Sequence, residues 1–136
     1  MRTFPLRIVT PDGLKFDGKA QSLTVRTTSG DLGILAGHIP CVAPLGMGRA
    51  TVVTEDGTRH GACIGGMVSV TAEVVTLVPT TFEWADEINL DRATQSEQRA
   101  RAVLEDKNTP SADIRIAEAR LKRALVRQSV AGSKIR

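Results

Sequence analysis

Aromatic residues, histidines and cysteines are all scarce in this chain of 136 residues. It has three phenylalanines, one tryptophan and no tyrosine, with only two histidines and two cysteines. Proteins that bind single-stranded nucleic acid stack its bases on several aromatic rings. Metal sites and nucleophilic sites draw mainly on His and Cys. The composition therefore argues against a nucleic-acid platform and leaves little material for a catalytic centre.

Long apolar runs are also missing. The short apolar stretch within the first thirteen residues is interrupted by two prolines and an arginine, which does not fit an export signal. The longest uncharged stretch, residues 32–48, contains four glycines and two prolines and does not fit a membrane-spanning helix. Two cysteines, Cys41 and Cys63, do not make a disulfide framework. We expect a soluble chain with free thiols.

Positive charge is concentrated at the C-terminal end. The net charge is +3, yet residues 1–83 hold seven basic and seven acidic side chains. After residue 114 there is one acid, Glu118, and seven basic residues: Arg115, Arg120, Lys122, Arg123, Arg127, Lys134 and Arg136. A solvated helix face explains this run as simply as a binding surface does. As a surface, it would suit nucleic acid, a triphosphate or an acidic protein.

The chain divides into two parts of different composition. Eleven of the twelve glycines lie in its first half, whereas the end is rich in Ala, Arg and Glu. The first part contains short apolar segments separated by turn residues, such as 50–54 and 58–64 around Glu55-Asp56-Gly57. Such spacing predicts an antiparallel β-sandwich or barrel over residues 1–85. We assign residues 86–136 to a second, helical unit.

The helical unit has the pattern of an antiparallel hairpin. Asn89 is a suitable N-cap, and residues 106–109 interrupt the helical spacing before Thr109-Pro110 begins a second helix as cap and first-turn proline. The first helix repeats Leu90, Ala93, Ala100 and Leu104, and the second repeats Ile114, Ala117, Leu121, Ala124 and Gln128. Because alanine buries little apolar area, we expect the hairpin to detach from its support at small cost.

Two His-x-x-Cys pairs, at His38 and Cys41 and at His60 and Cys63, supply four side chains that suit zinc. Against this, residues 60–63 fall in a predicted strand, where positions three apart point to opposite faces. Buried thiols and ordinary polar histidines are the alternative interpretation, and we expect no metal.

The segment GDLGILAGHIP at residues 30–40 has three regularly spaced glycines. It lacks the Gly-Lys-Ser/Thr ending of a P-loop, and no helix follows it. We predict a tight, glycine-shaped loop between strands. The acids of the first part lie in turns or on solvent faces, and no nucleophile elbow is present. The residues therefore predict a protein that is not an enzyme.

Three segments together resemble the epsilon subunit of F-type ATP synthases: GDLGILAGHIP (30–40), GGMVSV (65–70) and INLDRA (88–93). The resemblance covers essentially the whole chain, in order. It implies an α+β fold, with an antiparallel sandwich of about ten strands followed by a two-helix antiparallel hairpin. It also implies a non-catalytic rotor subunit of a proton- or sodium-translocating ATP synthase, bound peripherally at the cytoplasmic face of a bacterial plasma membrane.

The resemblance assigns partners to particular residues. Asp31 and His38 occupy the positions that face the ring of c subunits and the gamma subunit. The hairpin permits turnover when it is packed on the sandwich, and inhibits ATP hydrolysis when it extends into the alpha/beta catalytic head. The residues expected to meet acidic surface there are Arg115, Lys122, Arg123 and Arg127. No contact with nucleic acid is implied.

Some bacterial members also bind regulatory ATP through an Ile/Leu-Asp-x-x-Arg-Ala pattern and downstream arginines. The corresponding residues here are Glu83, Asn89, Arg92, Ala93, Arg99, Arg123 and Arg127. Asn89 replaces the acid of the pattern, and Trp84 stands where many members have arginine. Apart from this ATP we expect no cofactor. Two alternatives remain open: a stand-alone nucleotide-sensing module, and a nucleic-acid-binding β domain with a basic tail.

Overall fold

Ten short strands occupy residues 4–84 of the computed structural model, which describes residues 2–132. They are β1 (Phe4–Thr10), β2 (Gly13–Ala20), β3 (Ser22–Thr27), β4 (Gly30–Leu35), β5 (Cys41–Pro44), β6 (Met47–Thr54), β7 (Gly57–Ile64), β8 (Met67–Val70), β9 (Val75–Val78) and β10 (Thr81–Trp84). The predicted hairpin around Glu55-Asp56-Gly57 is the β6–β7 pair. The predicted fold class, a β-sandwich followed by a helical hairpin, is confirmed.

The strands form two five-stranded sheets, ordered β2-β1-β9-β8-β5 and β10-β7-β6-β3-β4. Among the described strands one pair is parallel, β1 with β9, where Leu6 lies opposite Val75. The prediction of antiparallel strands was wrong for this pair. Turn residues report pairing between neighbours in sequence, whereas these two strands are more than sixty residues apart and meet only because both sheets close on one core.

The sandwich core forms between the inner faces of the two sheets. Leu6, Ile8, Leu23, Val25 and Leu77 are completely buried there. They alternate with exposed or half-buried neighbours along their strands, as the period of two in a β-strand requires. Burying each such side chain stabilises the fold by roughly 1.5–3 kcal/mol. Every buried member of this core lies between Phe4 and Trp84.

The segment 30–40 is not the loop that its glycines suggested. Its first six residues are strand β4, paired with β3 so that Ile34 lies opposite Leu23 and Leu32 opposite Val25. Ile34 is buried and Leu32 is half-buried. The alternation of these two apolar residues decides the conformation, because burying them on the sheet outweighs the weak strand preference of the glycines between them.

Two of the four side chains that would suit zinc, Cys63 and His60, have other surroundings in the fold. Cys63 lies in β7 and is buried in the core, which raises the pKa of its thiol to about 12. The Nδ1 atom of His60 lies 3.0 Å from the hydroxyl oxygen of Thr51, within hydrogen-bonding distance. Within residues 2–132, no three His, Cys, Asp or Glu side chains gather closely enough to hold a metal ion.

A 3-10 turn (Ala85–Glu87) leads from the sandwich to the helices α1 (Leu90–Glu105) and α2 (Ser111–Ala131). The Asn89 side chain accepts a hydrogen bond from the backbone N–H of Arg92 at 3.0 Å, which confirms the predicted N-cap. The cap predicted for α2 was wrong. Pro110 holds that position, while the Thr109 hydroxyl donates to the Val103 carbonyl at 2.9 Å.

The buried stripe of α1 is shorter than predicted. Ala93 and Ala100 are buried, but Leu90 is 51% exposed. Leu90 is the first residue of the helix and lies about 60° around the axis from Ala93. No helix within residues 2–132 is both long and apolar enough to cross a membrane.

Candidate functional site

The hairpin rests on the sandwich through α2, which packs against β6, β7 and the 3-10 turn. The contact is a small apolar cluster, separate from the sandwich core, formed by Ala62, Ala85, Ile88, Val130 and Ala131 with Val126 beside them. Three of these residues are alanines, which bury little area. The interface is therefore small, and it is formed by the end of α2 rather than by the alanine stripe.

The two helices are joined to each other by a polar contact as well as by alanines. Glu97, which interrupts the apolar spacing of α1, accepts a hydrogen bond from the Gln128 side chain at 2.7 Å. Its other oxygen accepts from Arg101 at 2.7 Å. The bond from Gln128 and then the bond from Arg101 lower the pKa of the Glu97 carboxyl. Glu97 is thus an ionised link between α1 and α2.

A cleft of about 590 Å³ opens where α1 begins, between the hairpin and the sandwich; we name it the hinge cleft. Six of the seven residues expected to bind nucleotide line it: Glu83, Asn89, Arg92, Ala93, Arg123 and Arg127. The seventh, Arg99, instead lines a neighbouring groove beside Val103 and Ile116. The fold thus brings together residues from β10, α1 and α2 that are up to 44 positions apart.

The hinge cleft is rich in arginine. Arg127 is paired with Glu83, with 2.6 Å between Nε and Oε1. Three further arginines, Arg92, Arg120 and Arg123, line the cleft and make no ion pair with any carboxylate among residues 2–132. The positive end of the α1 dipole also lies here. This arrangement favours an anionic ligand.

Two basic residues of the cleft, Arg120 and Lys15, were not among the seven expected to bind nucleotide. Arg120 lies three and seven positions before Arg123 and Arg127, so helical spacing places all three on one face and would have found it. Lys15 comes from β2, and its ammonium lies 3.7 Å from the Glu87 carboxylate. No local pattern indicates Lys15, because only the packing of the sandwich brings β2 to the hinge.

The four residues expected to inhibit fall on two faces of α2. Arg115 and Lys122, seven positions apart, are exposed. Arg123 and Arg127 are half-buried and line the hinge cleft. The prediction groups Arg123 with Arg115 and Lys122, but Arg123 is turned away from Lys122 by about 100° around the axis. The last two of the seven basic residues after residue 114, Lys134 and Arg136, lie outside the described residues.

Asp31 lies near the start of β4, the edge strand of its sheet, and His38 lies three residues past the end of that strand. Asp31 forms an exposed ion pair with Arg26, at 3.1 Å. The Nδ1 atom of His38 lies 2.7 Å from the Ile39 carbonyl oxygen, next to Leu35 and Ile39, which are 64% and 74% exposed. The two residues thus belong to different surfaces, one polar and one bordered by apolar side chains.

Trp84 is a core residue and does not line the cleft. Its indole N–H donates to the Lys15 carbonyl at 3.2 Å, its ring packs edge-on against Phe82, and the Arg59 guanidinium lies 3.8 Å from the ring centroid. Its backbone N–H donates to the Glu87 carboxylate at 3.0 Å. Trp84 therefore anchors the hinge to the sandwich core.

Together these features define a two-part protein, a β-sandwich that carries a lightly held helical arm and a cleft rich in arginine between the two. Comparison with known proteins identifies its family. The ATP synthase delta/epsilon chain models match as the β-sandwich domain over residues 3–85 and the long α-helix domain over residues 86–132. The chain belongs to the delta/epsilon chain family of ATP synthases.

Bacterial relatives match over nearly their whole length. The ATP synthase epsilon chain of Bacillus pumilus is 43% identical over 132 residues, covering 97% of this chain and 99% of the relative. That of Bacillus velezensis is 41% identical over 133 residues, covering 98% and 100%. The chain is accordingly a rotor subunit of an F-type ATP synthase, and an accessory rather than a catalytic one.

Two solved structures share the fold at low sequence identity. A chain of the Euglena gracilis mitochondrial ATP synthase OSCP/F1/c-ring assembly has a TM-score of 0.82 at 23% identity, covering 93% of this chain and 80% of that one. A chain of the Tetrahymena thermophila mitochondrial ATP synthase central stalk/c-ring has a TM-score of 0.65 at 15% identity, covering 96% and 97%.

Proposed function

We propose that the sandwich (residues 1–85) attaches this subunit to gamma and to the c-subunit ring, and that the hairpin (residues 86–136) regulates ATP hydrolysis. The subunit would lie at the cytoplasmic face of a bacterial plasma membrane, bound only through the complex. The chains of similar fold belong to mitochondrial assemblies described as OSCP/F1/c-ring and as central stalk/c-ring, which supports the proposed attachment to a central stalk and a c ring.

The two ends of β4 suit two different partners. The exposed Asp31–Arg26 pair offers charge to the polar loops of the c ring. His38, with the exposed Leu35 and Ile39 beside it, offers a partly apolar surface to gamma. An edge strand also has backbone groups free of sheet pairing on one side, which a partner can use.

The observation that carries the regulatory proposal is the size of the contact between hairpin and sandwich. One small apolar cluster and a few polar bonds hold a helix of 21 residues. Helices of 16 and 21 residues are roughly 24 and 32 Å long, so unfolding the hairpin would about double its reach. The extended form would then place the basic face of α2 against the alpha/beta head.

Neutralising the exposed pair should weaken inhibition without opening the compact form. We expect Arg115→Gln with Lys122→Gln to raise the concentration needed for half-inhibition of the cognate catalytic head by about threefold to tenfold, since surface ion pairs are each worth up to about 1 kcal/mol. The measurement is ATPase rate against subunit concentration at several salt concentrations. Lys19→Gln, an exposed lysine of the sandwich, is the matched control.

Neutralising Arg123 and Arg127 should weaken inhibition too, but it also removes the Glu83 ion pair of the compact form. The exposed pair is therefore the cleaner probe. If all four basic residues are neutralised and inhibition keeps both its strength and its salt dependence, α2 does not act through charge.

A second function is favoured by the hinge cleft, which we propose as a site for regulatory ATP. Its three arginines that pair with no carboxylate among residues 2–132 suit a triphosphate. The cleft is built from β10, α1 and α2 together, so it exists only in the compact form. ATP at 100 times its dissociation constant would stabilise that form by about 2.7 kcal/mol.

ATP is expected to raise the melting temperature of the full chain by several degrees, with ADP and AMP progressively less effective. Arg123→Gln should abolish most of the shift. Arg99→Gln should keep it, because Arg99 lines the neighbouring groove rather than the cleft. The absence of any shift at millimolar ATP would contradict the site. Tight ATP binding by a chain that has no affinity for gamma would instead support the stand-alone nucleotide sensor.

A further inference from the structure

Five consecutive residues at the end of α2 hold the hairpin, through contacts with four different neighbours. Arg127 pairs with β10, Gln128 bonds to α1, Ser129 meets β6, and Val130 and Ala131 join the small apolar cluster. The structure therefore concentrates the attachment of the arm in its last turn and a half. The residue that contacts Ser129 is Arg49, which lies in strand β6 of the sandwich.

Arg49 acts on the C-terminal end of α2. Its Nη2 atom donates to the Ser129 carbonyl at 3.2 Å and to the Ser129 hydroxyl at 3.1 Å. The C-terminal end of a helix carries partial negative charge, which a cation complements. The last turn of α2, which lies wholly within the described residues, contains no basic side chain. Arg49 supplies the cation from another element.

The position of Arg49 on its sheet fits this role. In the β6–β7 pair it lies opposite Ala62, which belongs to the apolar cluster under α2. The same point of the sheet thus offers α2 an apolar contact and a cation next to it. Arg49 does not line the hinge cleft, and it is not part of either basic face of α2.

We propose that Arg49 is a positioning residue that favours the compact form by capping the end of α2. This bond exists only while α2 lies on β6, so its loss shifts the equilibrium toward release of the arm. The proposed effect of Arg49 on release of the arm depends only on its contact with Ser129. The consequence for ATP hydrolysis rests on the regulatory function proposed above.

The test measures amide hydrogen exchange of the full chain. In Arg49→Gln we expect residues 124–131 to exchange about threefold to tenfold faster, as for the loss of one solvent-exposed hydrogen bond. The sandwich core around Leu23 and Val52 should keep its rates. Arg49→Lys, which retains the cation, should restore part of the protection. Ser129→Ala, which keeps the carbonyl acceptor, should lose less of the protection from exchange than Arg49→Gln does.

A second readout separates this proposal from the proposed regulation. If exchange rises and the cognate head is inhibited more strongly, both are supported. If exchange rises while inhibition is unchanged, the capping role stands and the regulatory function is contradicted. If Arg49→Gln leaves exchange at 124–131 unchanged while Arg127→Gln accelerates it, Arg49 does not hold the arm and the proposal is overturned.

Discussion

Ending the chain at Ile88 is expected to raise ATP hydrolysis by the cognate catalytic head about tenfold, if the extended arm holds roughly nine complexes in ten inhibited. The truncation removes both helices, and with them the basic faces and the hinge cleft. It leaves the two ends of β4 in place, so attachment to gamma and the c ring should persist.

The truncated chain should still fold. The sandwich core contains residues from Phe4 to Trp84 only, and the apolar cluster under α2 is separate from it. Ending at Ile88 also keeps Glu87, whose carboxylate accepts from the Trp84 backbone and lies near Lys15. An end point before Glu87 would remove these contacts, and a change in the hydrolysis rate would then no longer distinguish loss of the arm from loss of folding.

The control for this experiment is binding to gamma. Co-purification with gamma must be equal for the full and truncated chains, so that a change in rate reports the arm and not assembly. Equal hydrolysis rates from two fully assembled complexes would mean that the sandwich is a structural coupler and that the arm does not inhibit under those conditions.

Gly66→Ala is expected to destabilise the sandwich severely. Gly66 has a φ of +92°, and a Cβ there would overlap the Val78 carbonyl oxygen and approach the Pro79 Cα to 2.7 Å. Both neighbours are backbone atoms, which cannot rotate away. Strained backbone costs of order 1–3 kcal/mol, and the overlap adds to it, so we expect a loss of about 3 kcal/mol or more in the free energy of unfolding.

Two other glycines separate the causes of this loss. Gly57 has a φ of +128° with nothing near its Cβ position, so Gly57→Ala should show strain alone, about 1 kcal/mol. Gly33→Ala has neither strain nor overlap and should be nearly neutral. Urea denaturation of the three variants gives the comparison. Equal losses for Gly66→Ala and Gly57→Ala would show that the contact with β9 is not tight.

The strands that could be predicted are those with a clear alternation or a strong turn, such as β3 and the β6–β7 hairpin. The residues of β4 resemble a loop in sequence because three glycines obscure the alternation of Leu32 and Ile34. Strand β2 was not located because most of its positions are exposed or half-buried, which blurs the period of two. Strands β5 and β10 have only four residues each, too few for their alternation to stand out. The pairing of β1 with β9 has no local signal at all.

The candidate site shows the same division. Family resemblance identified six residues that the fold gathers at the hinge cleft, and it grouped Arg99 with them although Arg99 lies elsewhere. Helical spacing would have added Arg120 and separated Arg123 from Lys122. Nothing in the sequence indicates Lys15 or Arg49, because each is an isolated basic residue on a strand that is far from the helices along the chain.

By itself, the amino-acid sequence determined the two-part organisation, the β character of the first part, the helical hairpin and its Asn89 cap. These depend on periodicity and on residues within a few positions of one another, where side-chain geometry repeats regularly. The tertiary structure alone decided that Lys15 joins the hinge cleft while Arg99 does not, where α2 is held, and that Arg49 caps it. Those contacts join residues up to 80 positions apart, and only the packing of the two sheets and two helices brings them together.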